Sequence, residues 1–206
     1  MNKTLQILFF LVSIFSFSQK KYNFDKELVY SFYKGDQKKN VSEESIFINS
    51  EDHSYYLRIF GSGNQKLALL YDAPNNVRHD FDLIKNAERS DNYYEFKFDR
   101  SIIPKSNQSF RKPIFEIESS QISFYNNESR KKISKKITFK DKAYDSNLFF
   151  AFRAIALHPF ESITELDPHQ NILVENAKIT TGKQILNYEL KSIKDFNLTL
   201  TIPNKN

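Results

Sequence analysis

The chain of 206 residues contains no cysteine and no tryptophan. Without cysteine it can form no disulfide, no thiolate metal site, no thiol nucleophile and no lipid attachment through sulfur. Glycine is scarce, limited to Gly35, Gly61, Gly63 and Gly182. Loops that cradle phosphate on bare backbone are built from closely spaced glycines, and these positions supply no such loop. The chain also lacks a nucleophile elbow and a zincin helix. No hydrophobic run is long: Leu5 to Phe17 falls well short of the roughly 20 residues that a spanning helix needs.

That short run nevertheless has an organised context. Lys3 precedes it, Ile7 to Phe15 is apolar apart from Ser13, and Ser16-Phe17-Ser18 places small residues where a signal peptidase reads. The pattern predicts a secretory leader over residues 1–18, cleaved before Gln19, and an exported protein without a stable membrane span. The missing cysteines favour a bacterial periplasm over a eukaryotic secretory route. Phe, Tyr, Lys, Ile and Asn are abundant, as AT-rich codons would give. The formal charge of +5 is therefore read first as a lysine-rich surface and second as a preference for anionic partners. Nucleic acid is not an expected partner in an export compartment.

Residues 19–206 read as a single domain, large enough for a core without covalent staples. Alternation with a period of two dominates. Leu28, Tyr30 and Phe32 fall on one face of a first strand, Ile46 and Ile48 on a second, and Tyr55, Leu57 and Ile59 on a third. Gly61 to Asn64 turns the chain into Leu67, Leu69 and Tyr71, a hairpin pattern. Val77, His79, Phe81 and Leu83 alternate with Arg78, Asp80 and Asp82, and Tyr94, Phe96 and Phe98 follow. Residues 100–112 read as a loop. Shorter strands follow at 114–117 and 122–125, then a basic one at 133–139. Two more are expected near the C-terminus, at 186–190 and 196–202, with Lys194-Asp195 between them. Asp145 to Leu157 mixes alanine with phenylalanine and predicts one buried helix, capped by Asp145 or Ser146 and ended before Pro159, with a central strand as the alternative for so short an apolar run.

Chemistry-bearing residues are few. His158, Glu161, Glu165 and His169 are close in sequence but match no ligand spacing. His79 falls on the apolar face of its strand and reads as a core residue. Asp80 and Asp82 share the opposite, solvent-facing side; paired carboxylates can divide acid and base roles, but on such a face they ordinarily serve solvation. Arg130 to Lys142 is the densest basic stretch, and Lys132, Lys136 and Lys140 would line up on one side of a strand. It reads either as an edge strand guarded by lysine or as a contact for lipid headgroups or an acidic glycan.

The leader ending Ser16-Phe17-Ser18-Gln19, the strands rich in Tyr, Phe, Lys and Asn, and the closing Phe196-Asn197-Leu198-Thr199-Leu200-Thr201-Ile202-Pro203 resemble small exported proteins of Bacteroidota-type bacteria. The resemblance implies an exported, β-rich chain and carries over no functional residue.

The expected architecture is mainly β: one antiparallel, strongly curved sheet or barrel of about ten strands, with one helix packed on it. The favoured function is a non-enzymatic periplasmic or extracellular module that binds or carries a lipid or other apolar ligand. In that reading Tyr30, Phe32, Phe96, Phe98 and Phe149 line a cavity, and Lys132, Lys136 and Lys140 meet an anionic headgroup. The alternatives are a hydrolase on the same sheet, using Asp80, Asp82 or the His158 region, and a surface-associated structural protein. No catalytic or metal-binding residue is assigned, and no cofactor is expected.

Overall fold

Among the described residues, eleven antiparallel strands form one sheet, and most of the alternating segments lie in them. The computed structural model describes residues 19–62, 65–85, 94–103, 113–157 and 166–203. The expected leader, the Gly63-Asn64 turn, most of the 100–112 loop, and His158, Glu161 and Glu165 lie outside the described residues. The elements are β1 (Lys20–Lys34), β2 (Ser42–Ile48), β3 (Tyr55–Ser62), β4 (Gln65–Asp72), β5 (Val77–Lys85), β6 (Tyr94–Ile102), β7 (Ile114–Glu118), β8 (Gln121–Tyr125), β9 (Ile133–Ala143), α1 (Phe149–Ala156), β10 (Ile172–Thr181) and β11 (Gln184–Ile202). Their order across the sheet is β6-β5-β4-β3-β2-β1-β11-β10-β9-β8-β7. The sheet is curled and open, with β6 and β7 as its edges.

The mainly β expectation holds, but three details differ. Ile172–Thr181 is a strand that the alternation does not reveal. The two strands expected near the C-terminus are one, since β11 runs through Lys194 and Asp195. Lys26 and Glu27 of β1 pair with these two residues in the ladder and bind their side chains. The helix is shorter than its segment. Tyr144 and Leu148 donate backbone hydrogen bonds to Asn171 and Ile172, which ties the chain to the start of β10. Neither Asp145 nor Ser146 caps α1; Asn147 Oδ1 accepts from the Phe149 N–H at 3.0 Å.

Both faces of the sheet carry a core, because neighbouring residues on a strand point to opposite sides. Ile46, Ile48 and Tyr56 join the first core, on the face that holds α1. Phe47, Tyr55 and Leu57, their neighbours in sequence, join the second core on the other face. The helix is apolar on every side, and Phe149, Phe150, Ala151, Phe152, Ala154 and Ile155 are all buried. A helix of that pattern must be enclosed. Its one charged residue, Arg153, donates to the Leu166 carbonyl at 3.0 Å and lies over the Phe150 ring.

The second core is closed by a ribbon rather than a helix. β1 pairs with β2 only from Lys26 to Phe32, so residues 20–24 extend beyond it, paired with residues 198–202 of β11. A register shift between Phe24 and Lys26 marks the bend. Bulges turn a strand and re-aim its side chains. Asp25 secures this one by accepting from the Ser50 N–H at 2.8 Å and from the Ser50 hydroxyl. Beyond the bend, Tyr22 and Phe24 swing onto Tyr55 of β3, with ring centroids 5.1 and 5.5 Å away.

Candidate functional site

Among the described residues, two of the arrangements that bring polar side chains together are a buried network under the β1–β11 ribbon and a groove on the outer face of the sheet.

The network begins where β1 does. Tyr22 is 1% exposed and Asp72, at the end of β4, is 3% exposed. The Tyr22 hydroxyl donates to Asp72 Oδ2 at 2.6 Å, and Lys20 and Asn75 donate to the same carboxylate. Since the tyrosine proton is committed to Asp72, the hydroxyl oxygen accepts from His79 Nε2 at 3.2 Å. That fixes the tautomer: Nδ1 carries no proton and accepts from the Ser101 hydroxyl at 2.8 Å. His79 is therefore a satisfied core histidine, as its place on the apolar face implies. It links β5 to β6 while Tyr22 links β1 to β4.

The network has a defined titration sign. Burial pushes His79 below the ordinary histidine range, against the opposing pull of the Asp72 charge. Burial alone would raise Asp72, but hydrogen bonds from Lys20, Tyr22 and Asn75 outweigh it and hold the carboxyl below its usual range. In both cases the unfolded chain binds more protons than the folded one, so stability falls as pH falls. The urea midpoint should be steady above about pH 7, decline below about pH 6.5 as unfolded histidine protonates, and decline again near pH 4. His79→Gln should flatten the upper step. A midpoint that stays level from pH 7 to 5 in the unaltered chain would remove His79 from this role.

The groove lies on the outer face of β9, β10, β11 and β1, behind the first core. It encloses about 280 Å³ and is open to solvent. The ladder sets its floor. Thr138, Lys178, Asn187 and Tyr33 form one row across the four strands, each paired with the next. Lys140, Asn176 and Glu189 form the row beside it. At about 4.8 Å per strand, four strands span roughly 14 Å.

Charge around the groove is unbalanced. Glu175 is shared by Lys140 and Lys142, and Glu189 by Lys38 and Lys191, while Lys178 pairs with Asp36. Hydrogen bonds from Lys142 and from Lys38, respectively, lead in holding Glu175 and Glu189 below the ordinary carboxylate range. Each shared carboxylate thus stays ionised and leaves one lysine charge over.

The residues singled out in the sequence fall in different places. Tyr30, Phe32 and Phe149 belong to or pack against the first core, and Phe96 and Phe98 pack against the second, on the other side of the sheet. Phe32 stacks on Tyr188 with centroids 5.8 Å apart, and Phe96 and Phe98 meet Phe81 edge to face. Tyr30 is fully buried and donates to the Val174 carbonyl at 2.8 Å. Lys136 and Lys140 do share the outer face, opposite Ile137 and Phe139. Lys132 precedes β9, and a register shift between Phe124 and Tyr125 of β8 interrupts the alternation that would have aligned it. β9 is no edge strand, since β8 and β7 lie beyond it.

Asp80 is also unlike its expectation. It is buried on the helix face, where Arg78 binds both its oxygens at 2.7 and 3.0 Å and Arg100 adds a third bond at 3.1 Å. Asp82 is exposed. His169 donates its backbone N–H to Asp167 at 2.7 Å. Among the described residues no helix is long and apolar enough to cross a membrane.

Comparison of the sequence with models of known families and with curated proteins returns no match.

Proposed function

We propose that this chain is an exported, non-enzymatic binding module that receives an anionic ligand on the outer face of β9, β10, β11 and β1. The observation that supports it best is the groove with its surplus of lysine. Among the described residues, the ion pairs of Lys38, Lys140, Lys142, Lys178 and Lys191 are made with three carboxylates, Asp36, Glu175 and Glu189. These pairs are solvent-exposed and contribute little to stability, roughly 0–1 kcal/mol each. A ligand can draw the ammonium groups away at small cost. The groove volume, about 280 Å³, sits just under the roughly 300–1,000 Å³ of pockets that engulf a small ligand. An open groove of this size suits a segment of a longer ligand better than an enclosed lipid. The aromatics expected to line a lipid cavity are engaged ring to ring in two separate cores.

The reading predicts that inorganic polyphosphate binds the mature chain, and that Lys140→Ala with Lys178→Ala weakens this at least tenfold. Affinity should fall steeply as salt rises, because exposed charges are screened beyond about 8 Å at physiological ionic strength. Lys97→Ala, on β6, serves as the control. Equal loss from the control would show that overall charge, not the groove, carries the binding, and would end this reading.

A further inference from the structure

We infer that the ligand of the outer groove is an acidic oligosaccharide, laid across the strands with a sugar ring on Tyr33. The inference rests on the proposed binding role of this face and goes beyond it to ligand class.

The chemistry of the two rows distinguishes sugar from phosphate. A lipid headgroup phosphate only accepts hydrogen bonds, so a site built for it presents donors and cations. This groove also presents acceptors: the Asn176 side-chain carbonyl, the Glu189 carboxylate and the Thr138 hydroxyl. Of these, the Glu189 carboxylate can only accept, which favours a ligand with hydroxyl donors at that point, while Asn176 and Thr138 both give and accept. Amides and hydroxyls, which both give and accept, match the alternating character of a sugar's hydroxyl groups.

The remaining parts fit the same ligand. Tyr33 ends its row with a flat apolar ring, the surface on which the C–H face of a pyranose packs. The Lys38 ammonium lies over that ring, 6.0 Å from its centroid, and is paired with Glu189, so a sugar stacking there displaces the exposed lysine side chain and meets its ammonium with a carboxylate. Lys178 stands two places along the same row, and Lys140 ends the other. Cations at both ends of a span of roughly 14 Å suit an extended chain with repeated acidic groups better than one compact anion. The floor is built on β-sheet backed by the first core, so it is rigid and needs little ordering on binding.

Isothermal titration of the mature chain with oligogalacturonate tests this, with neutral maltooligosaccharide, inorganic polyphosphate and phosphatidylglycerol vesicles as comparisons. Oligogalacturonate should bind, and the neutral chain should bind at least tenfold more weakly. Tyr33→Ala and Asn176→Ala should each reduce oligogalacturonate affinity about tenfold and leave polyphosphate affinity unchanged, while Tyr33→Phe keeps the ring and retains binding. Melting temperatures would verify that each variant is folded, and Asn176→Ala, at a position without a core contact, guards against loss of fold at Tyr33. Polyphosphate binding without oligogalacturonate binding would overturn the glycan inference and leave the anionic groove standing. Vesicle binding indifferent to Tyr33→Ala and Asn176→Ala would overturn it in favour of a headgroup surface. Absence of binding to every anion would end both.

Discussion

Phe152→Ala should destabilise the folded chain by about 3–5 kcal/mol, the range for removing a buried aromatic from a packed core. Phe152 is 1% exposed, and its ring meets Phe149 at 6.0 Å, Tyr188 at 6.1 Å and Tyr30 at 6.2 Å. Those partners come from the helix, from β1 at the centre of the sheet and from β11 beside it. Little can collapse into the space, because the neighbouring side chains are fixed by strands hydrogen-bonded on both sides. Cavities that cannot relax carry the larger cost. Urea denaturation of residues 19–206 provides the measurement. A loss below about 1 kcal/mol would mean that α1 does not pack as described.

The second large effect belongs to the other face. Leu200→Ala should cost about 2–5 kcal/mol, whereas Thr199→Ala should cost far less. Leu200 is 6% exposed, pairs with Tyr22 and lies in the core closed by the ribbon. Thr199 points away, and its hydroxyl donates to Asn23 at 2.9 Å on the exposed side. Deleting an exposed neutral hydrogen bond changes stability by about 0.5–1.5 kcal/mol at most. Equal losses would place the two residues in the wrong register.

These two substitutions also mark what alternation in the sequence can reveal. Phe196, Leu198, Leu200 and Ile202 alternate without a break, and the burial of that stretch is legible from the residues alone. β10 is not, because Ile172, Leu173 and Val174 are buried in succession and a register shift between Val174 and Asn176 resets the phase. β11 reads as two strands for the same reason: the register shifts between Val29/Ser192 and Tyr30/Leu190. The presence of two cores was hidden as well. Period-two patterning reports that a strand has an apolar face, but not which side of the sheet that face is on once a bulge intervenes. Tyr30 and Phe96 therefore look equivalent in sequence and lie on opposite faces.

The candidate groove was the least legible part. Lys140 stands out in the sequence for its charge. Thr138, Asn176, Asn187 and Glu189 are the outward-facing halves of alternating strands, the positions that pattern reading assigns to solvent. Only the ladder, which sets β1 beside β11 and β11 beside β10, shows that they form rows with Tyr33. Partners so distant along the chain leave no local signal.

The pairing of β1 with β11 has a consequence for how the protein comes into being. Lys20 and Ile202 are ladder partners, so the centre of the sheet is made from the two ends of the chain. Neither half can seal its edge next to β1 or β11 until both strands, about 170 residues apart along the chain, have met. Loop-closure entropy must be met before such distant contacts give any return, and folds of this kind assemble slowly. The hairpins on either flank can form early, but the meeting of the termini is a late event. Fusing the paired ends through a short linker, with new termini opened at the Gly182 turn, would make the same sheet from a chain whose central strands are neighbours in sequence.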